Sequence, residues 1–581
     1  MQELDILFLN LHRRYLNYEP NHGGFLGIYL LSAFLNNEGY SAKGFSGSLE
    51  EGLKIIDNLC AENKISMLGL YCDYENVTEN IFISRYVKKN FNLPVIVGGP
   101  QATALDEKFF VKSKCDAVVR YEGELTVLEL ANFFLEGIGS LEKILGITYL
   151  TSEGLKKNFE RPLIKNLDAL PFIDKNCYFE PSHYYRGLSL MTGRGCPFRC
   201  AFCHEGTHTR QVRFRSVENV LEEIDLYLQD YGTDRELYIF FTDDTFTLGL
   251  ERMKKICEGL AERRKNYDFK FFCEGHIHTI YKNPDMIKYL AEAGCVRIQL
   301  GIEAGTEKVL KAYGKNTTPE EIFEVVCLCR DLGIQQVYGN IILGGAFFNK
   351  EVFEQDKKFV HEIIKESQGV LEIGIVTFWP LSETKMTNSP ADFGIKICDA
   401  EFLTSVGDFP QIETAELSRF EITKMQIEFQ NEISALMTSM LENDEVPTER
   451  ILSWFPKTKM TRQGYLRPAG MWYMELMKNE NLYAYYEMLN RGEGFQSKDI
   501  ENLSEAHPLR VFALYKCLKK VDECIELFGE KFFGKEIEVV LLTTGKLSVT
   551  EIAERVELEI SKVIEILSRL ERRHLIVYSL H

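Results

Sequence analysis

Short apolar runs alternate with amphipathic helical patterns in two separate series along this chain. In the first series, strand patterns at 4–9, 67–71, 94–97 and 114–119 are interleaved with helical patterns at 27–37, 79–90 and 125–135. Such alternation predicts a doubly wound, Rossmann-like parallel sheet with helices on both faces. Ligands of these sheets sit beyond the carboxyl ends of the strands. Three of those ends carry glycine-bearing loops: 21–27 (NHGGFLG), 97–103 (VGGPQAT) and 120–124 (RYEGE). Glycine lets a backbone approach a ligand closely, which predicts a site for a flat ligand. Ordinary turn chemistry competes with that reading.

The second series has strand patterns at 188–192, 237–242, 269–273, 296–301, 336–343 and 372–378, with helical patterns at 217–230, 250–266, 285–293, 319–332 and 352–366. Six such steps predict a partial (β/α)6 barrel. Barrel chemistry sits on the loops after the strands. Cys196, Asp243, Asp244 and Glu303 fall there. The span 141–186 reads as a connector, and the chain beyond about 400 reads as mainly helical. A Tyr- and Met-rich stripe at 471–476 reads as core packing. The last segment, 547–578, has two helices and a strand in a winged-helix-like pattern. The expected units are therefore 1–140, 141–186, 187–395, 396–535 and 536–581. Length alone implies roughly four domains.

The loop after the first barrel strand reads MTGRGCPFRCAFC over 191–203 and holds Cys196, Cys200 and Cys203. Thiolates hold iron–sulfur clusters, and a cubane normally takes four. Three ligands leave one iron open to a substrate. A zinc site completed by His204 competes, although adjacent residues rarely ligate one tetrahedral ion. So does a set of buried structural cysteines, against which Pro197 and the neighbouring glycines argue. A disulfide framework does not suit a chain of this size with 15 Cys, an odd number, and no secretory signal.

The charge is −19, from 67 basic and 86 acidic residues. That opposes a broad nucleic-acid footprint. No apolar run is long enough to predict a membrane span, and the many free thiols suit a reducing cytoplasm.

The cysteine loop, the sequence RFRSVENV at 213–220, FTDDTF at 241–246 and GIEAGT at 301–306 closely resemble the radical S-adenosylmethionine superfamily. The first 140 residues resemble the cobalamin-binding domain that precedes many such barrels. Its landmarks are the loops at 97–103 and 122–124 and the LDALP connector. The resemblance implies a 4Fe–4S cluster on Cys196, Cys200 and Cys203, which are both its metal ligands and the initiators of catalysis. It implies S-adenosylmethionine contacts at Phe202, Asp243, Glu303, Gly339, Ile341 and Gly344. His276 aligns where the family often has an arginine. Cobalamin would rest on Gly23, Gly24, Gly98, Gly99, Pro100, Tyr121, Glu122 and Gly123. The D-x-H-x-x-G motif is absent, so a histidine ligand to cobalt is not expected.

The implied activity is C-methylation of an unactivated carbon in a small-molecule or peptide substrate, with a flavodoxin or ferredoxin as electron donor. Radical cyclisation, rearrangement or oxidation without methylation is the alternative. A cobalamin-sensing regulator, with the terminal unit reading DNA, is a third reading that the acidic charge disfavours.

Overall fold

The computed structural model describes residues 3–12, 26–204, 211–232, 237–398, 410–447, 471–476, 510–513, 519–521, 524–527, 530–572 and 576–579. The first series folds into a sheet of β1 (Leu4–His12), β2 (Ala42–Ser48), β3 (Ile65–Tyr71), β4 (Val95–Gly98) and β5 (Ala117–Val119). These strands are parallel, in the order β2-β1-β3-β4-β5. The central strand β1 is a nearly unbroken apolar run because both of its faces are covered. Ile6 and Phe8 pack with Ile28, Tyr29 and Val127 on one side. Leu7, Leu9 and Leu11 pack with Ile56, Leu59 and Ile83 on the other.

Two stretches depart from the sequence reading. Strand β2 and the helix after it, Leu49–Ala61, were not expected. The strand has the small-residue sequence AKGFSGS, which carries little β-propensity. The helix is started by a capping box between Ser48 and Glu51. The span 141–186 is also more than a connector. It begins with an antiparallel hairpin, β6 (Ile147–Thr151) and β7 (Gly154–Lys157), added to the β5 edge of the sheet.

The second series forms a six-stranded sheet of β8 (Leu188–Leu190), β11 (Leu237–Phe241), β12 (Phe269–Gly275), β13 (Cys295–Leu300), β14 (Gln336–Leu343) and β15 (Leu371–Thr377). All pairings are parallel and run in that order. A short antiparallel pair, β9 (Gly193–Arg194) with β10 (Arg213–Phe214), sits beside the cysteine loop. Side chains alternate along each strand. A Cβ on Gly275 would meet Ile280, Ile298 and Leu300, which marks the helix-covered face. The opposite, inner face carries Phe240, Phe272, Glu274, Arg297, Gln299, Tyr338 and Asn340, which contact one another across the strands.

The C-terminal third is less uniformly helical than its sequence pattern. Helix Arg419–Glu442 packs along β15, with Gln426 and Gln430 donating to the Ile375 carbonyl at 2.9 and 3.1 Å. Helix Met471–Leu476 buries Trp472, as its apolar stripe predicts, and the indole N–H donates to the Leu371 carbonyl at 2.7 Å. Strands then appear at Lys519–Val521, Cys524–Leu527 and Glu530–Phe533. The terminal segment has helices Lys535–Leu541, Val549–Val556 and Ile560–Arg572. It recruits strand Arg510–Ala513 between Thr544–Ser548 and Ile576–Ser579. Among the described residues, no helix is long and apolar enough to cross a membrane.

Candidate functional site

The carboxyl ends of the two parallel sheets face a shared cavity of about 380 Å³. The first sheet contributes the strand ends and loops at Gly69–Tyr71, Gly98–Pro100 and Tyr121–Glu124. The second contributes Met191, Gly193–Gly195, His204, Thr242 and Asp244. Leu30, Leu70, Ile96, Val119 and Val127 make much of its wall apolar. Gly98, Gly99, Pro100, Tyr121, Glu122 and Gly123, all expected to hold a flat ligand, line it. Gly23 and Gly24 lie outside the described residues.

Two glycines show why this wall is bare. Among the described residues, a Cβ on Gly98 would meet only Val119, at an ordinary 3.6 Å, so none of them demands glycine there. The missing side chain opens the cavity instead. Gly99 is different: its φ is +107° and a Cβ would lie 2.5 Å from the Cys72 carbonyl oxygen. That position needs glycine for the chain to turn.

Glu122 borders the cavity, but its carboxylate serves another purpose. It accepts from Arg194 at 3.0 Å and from the Ile164 N–H at 2.7 Å, and it lies 2.8 Å from Arg213. Arg194 also pairs with Glu124. Burial pushes the Glu122 carboxyl up, yet the bond from Arg213 and the charge of Arg194 outweigh it and hold it below the ordinary range. This network joins the cysteine loop to the strand-end loop of the other sheet. The sequence showed each residue but not the pairing, which spans 72 positions.

The cysteine loop is braced on several sides. The Ala201 N–H donates to the Tyr313 carbonyl at 2.7 Å, and the Met386 N–H donates to the Ala201 carbonyl at 2.9 Å. The Phe202 ring meets Tyr313 edge-on at 5.1 Å. Cys196 Sγ lies 3.7 Å from Thr245 Oγ1. His204 directs Nδ1 toward the Ser382 carbonyl at 3.3 Å. Among the described residues, no three His, Cys, Asp or Glu side chains close around one metal ion. Cys196, Cys200 and Cys203 are no exception: their thiols are half-buried and outside any disulfide but not gathered around one point. Thiolate is nevertheless the ligand type an iron–sulfur cluster takes.

The other expected residues have distinct placements. Asp243 is buried and accepts from the Thr192 N–H at 2.9 Å, so it fixes the start of the cysteine loop. Burial pushes its carboxyl up in spite of the Thr192 bonds. His276 stacks flat on Phe198 of that loop, with ring centres 3.6 Å apart. Burial and the nearby Lys315 hold it down at about 3, so it is a neutral prop beneath the loop. His278 is paired with Glu321 instead, at 3.0 Å. Glu303 has φ +63° and accepts from Lys315 at 3.0 Å. Gly339 packs against Ile302, Ile341 is fully buried, and Gly344 faces Ile412 and Ile422.

Lys315 went unnoticed in the sequence because no motif marks it. Its ammonium is buried, donates to the Gly301 carbonyl at 3.2 Å and faces the thiols of Cys200 and Cys203. Burial disfavours its charge, but Glu303 and Cys200 more than restore it. Glu274 was also missed. Burial, with Asp244 and Glu303 close by, pushes it up to about 7.

The Radical SAM superfamily profile matches residues 190–360, the span that carries this loop and four whole strands of the second sheet, β11 to β14. An uncharacterized methyltransferase of Pyrococcus horikoshii is 30% identical over 332 residues, which cover 54% of this chain and 70% of that protein. The chain belongs to the radical S-adenosylmethionine superfamily. This radical S-adenosylmethionine enzyme is also 26% identical to a hopanoid C-3 methylase of Methylococcus capsulatus over 320 residues, 54% of this chain and 59% of that one. Its fold is similar to that of TsrM from Kitasatospora setae, a radical S-adenosylmethionine methyltransferase solved with cobalamin and a 4Fe–4S cluster bound. That likeness has TM-score 0.59 at 16% identity and covers 84% of this chain and 99% of that one.

Proposed function

We propose that this enzyme is a cobalamin-dependent C-methyltransferase. The observation that carries the reading is the single cavity bounded by the glycine-bearing strand ends of one sheet and the cysteine loop of the other. In this reading residues 1–140, with the hairpin that extends their sheet, hold the corrinoid. Residues 187–395 form the partial barrel that holds the cluster and S-adenosylmethionine. The terminal unit is a winged-helix-like cap, and a flavodoxin- or ferredoxin-like protein supplies electrons. When bound, these groups supply a one-electron cleavage of S-adenosylmethionine and a methyl group deliverable to carbon.

The chain's own residues set the conditions for that chemistry. Cys196, Cys200 and Cys203 would ligate the cluster, and Lys315 places a buried positive charge beside two of them. Thr192, Asp243 and His276 brace the loop that would hold the cluster. Phe202, Glu303 and the main chain near Gly339, Ile341 and Gly344 border the space for S-adenosylmethionine. The bare Gly98 surface accepts a flat ring, and the leucine, isoleucine and valine wall keeps water from it. Arg194 and Glu122 hold the two halves in register.

The test is anaerobic turnover with a candidate substrate, read by product mass. A gain of one methylene supports methylation. A changed product without that gain supports cyclisation or oxidation on the same scaffold.

A further inference from the structure

The inner face of the second sheet holds an arginine that the preceding reading does not use. Arg297 lies on β13, four residues before Gly301 at the strand end. Its guanidinium sits over the rings of Phe272 and Tyr338, at 5.7 and 5.0 Å. Among the described residues no hydrogen bond reaches it, and no carboxylate lies within 4.0 Å. Its Nε is sealed from solvent without a partner. Arg297 is half-buried, and drawing a charge even partly out of water has a cost that structures normally offset by pairing it. Aromatic rings on either side offset only part of that cost.

Glu372 on β15 is close enough to feel the charge of Arg297. Gln336 donates to it at 2.6 Å, and its other oxygen has no partner. Burial pushes this carboxyl up to about 7, so at neutral pH it compensates Arg297 incompletely. Toward the mouth, on the same face, Gln299 donates to Glu274 at 3.3 Å. Gly374 makes room for the Asn340 and Tyr338 side chains, since a Cβ there would lie 2.4 Å from the Asn340 oxygen and 2.7 Å from the Tyr338 hydroxyl. The inner face therefore presents a half-buried cation at depth and polar groups between it and the strand ends, on the side where the cysteine loop would hold a cluster.

We propose that Arg297 anchors the carboxylate of the substrate, so that the substrate class is an elongated organic acid whose far end reaches the cluster. This rests on the reading of the site as a radical enzyme's, and it adds the chemistry that recognises the substrate. A planar guanidinium held between two rings is pre-organised for bidentate contact with a carboxylate. The acid sits at the bottom and the carbon to be attacked sits near the mouth.

The test uses the full chain reconstituted anaerobically with its cluster. Binding of 4-phenylbutyrate and of 4-phenylbutyramide is compared by ligand-detected NMR. The pair differs only in the charged group. The acid is expected to bind about tenfold tighter than the amide. Arg297→Met should abolish that preference, and Arg297→Lys should retain part of it. Equal binding of acid and amide by the unaltered protein would overturn the proposal. So would a preference that survives Arg297→Met. Retention of the cluster spectrum and of corrinoid binding in the variants separates this failure from failure of the methyltransferase reading.

Discussion

Arg194 donates to Glu122 across 3.0 Å, from the cysteine loop of one sheet to a strand-end loop of the other. Both side chains are largely buried, so the pair is a fixed joint rather than a surface contact. It forms part of the wall of the cavity where the two halves of the chemistry meet. The alignment of that cavity depends on a salt bridge in the low-dielectric interior.

Removing one partner leaves the other buried and unpaired. Arg194→Met should destabilise the protein by about 3 kcal/mol. A double-mutant cycle with Glu122→Gln, read by urea unfolding of the domain interface, should show a coupling of about 1 kcal/mol or more. Additive effects would mean that the pair does not join the two halves.

Gly98 and Gly99 separate ligand space from backbone necessity. Gly98→Val should fold normally and lose corrinoid binding, because the new side chain enters the cavity. Gly99→Ala should lower stability by about 1–3 kcal/mol through its positive φ and the clash with Cys72. Thermal unfolding and the absorbance of retained corrinoid distinguish the two outcomes. Corrinoid binding unaffected by Gly98→Val would move the ligand elsewhere.

Much of this site was legible because strand ends have local signatures. The cysteine spacing, the loop at 97–103 and Glu303 after β13 all announce themselves within a few residues. The hairpin at 147–157 did not, because its strands pair only with a sheet edge already formed by distant residues. Lys315 and Arg194 were silent for a related reason. Their roles come from partners that folding brings close, and a basic residue in a loop looks the same whether paired or solvated. His276 was ambiguous for the opposite reason: a histidine at a strand end suits a ligand contact, and only the fold shows that its ring also stacks on Phe198.

Asp356 accepts from the Gly305 N–H at 2.7 Å and so holds the turn that follows Glu303. Burial pushes its carboxyl up to about 7. Below the ordinary carboxylate pKa, both folded and unfolded chains are protonated. Between that value and about 7 the unfolded chain releases its proton first, so rising pH costs the folded state stability. Asp356→Asn keeps an acceptor and removes this penalty. The variant should gain stability over the parent at pH 8 and gain little at pH 4, as read by urea unfolding. An equal difference at both values would show that the carboxyl titrates normally.

Each of Cys196→Ala, Cys200→Ala and Cys203→Ala should abolish the iron–sulfur absorbance after reconstitution and leave corrinoid binding intact. Gly193–Gly195 of the cysteine loop line one wall of the cavity and the Gly98 surface lines the other. Loss of both cofactors from a single substitution would show that the halves do not fold independently around them.

The central claim is that one cavity serves both cofactors. Its direct measurement is anaerobic reconstitution with iron, sulfide and hydroxocobalamin, followed by quantitation of cluster and corrinoid in the desalted protein. The account predicts both in equal amount per chain. A protein that takes up the cluster and excludes every corrinoid would contradict it.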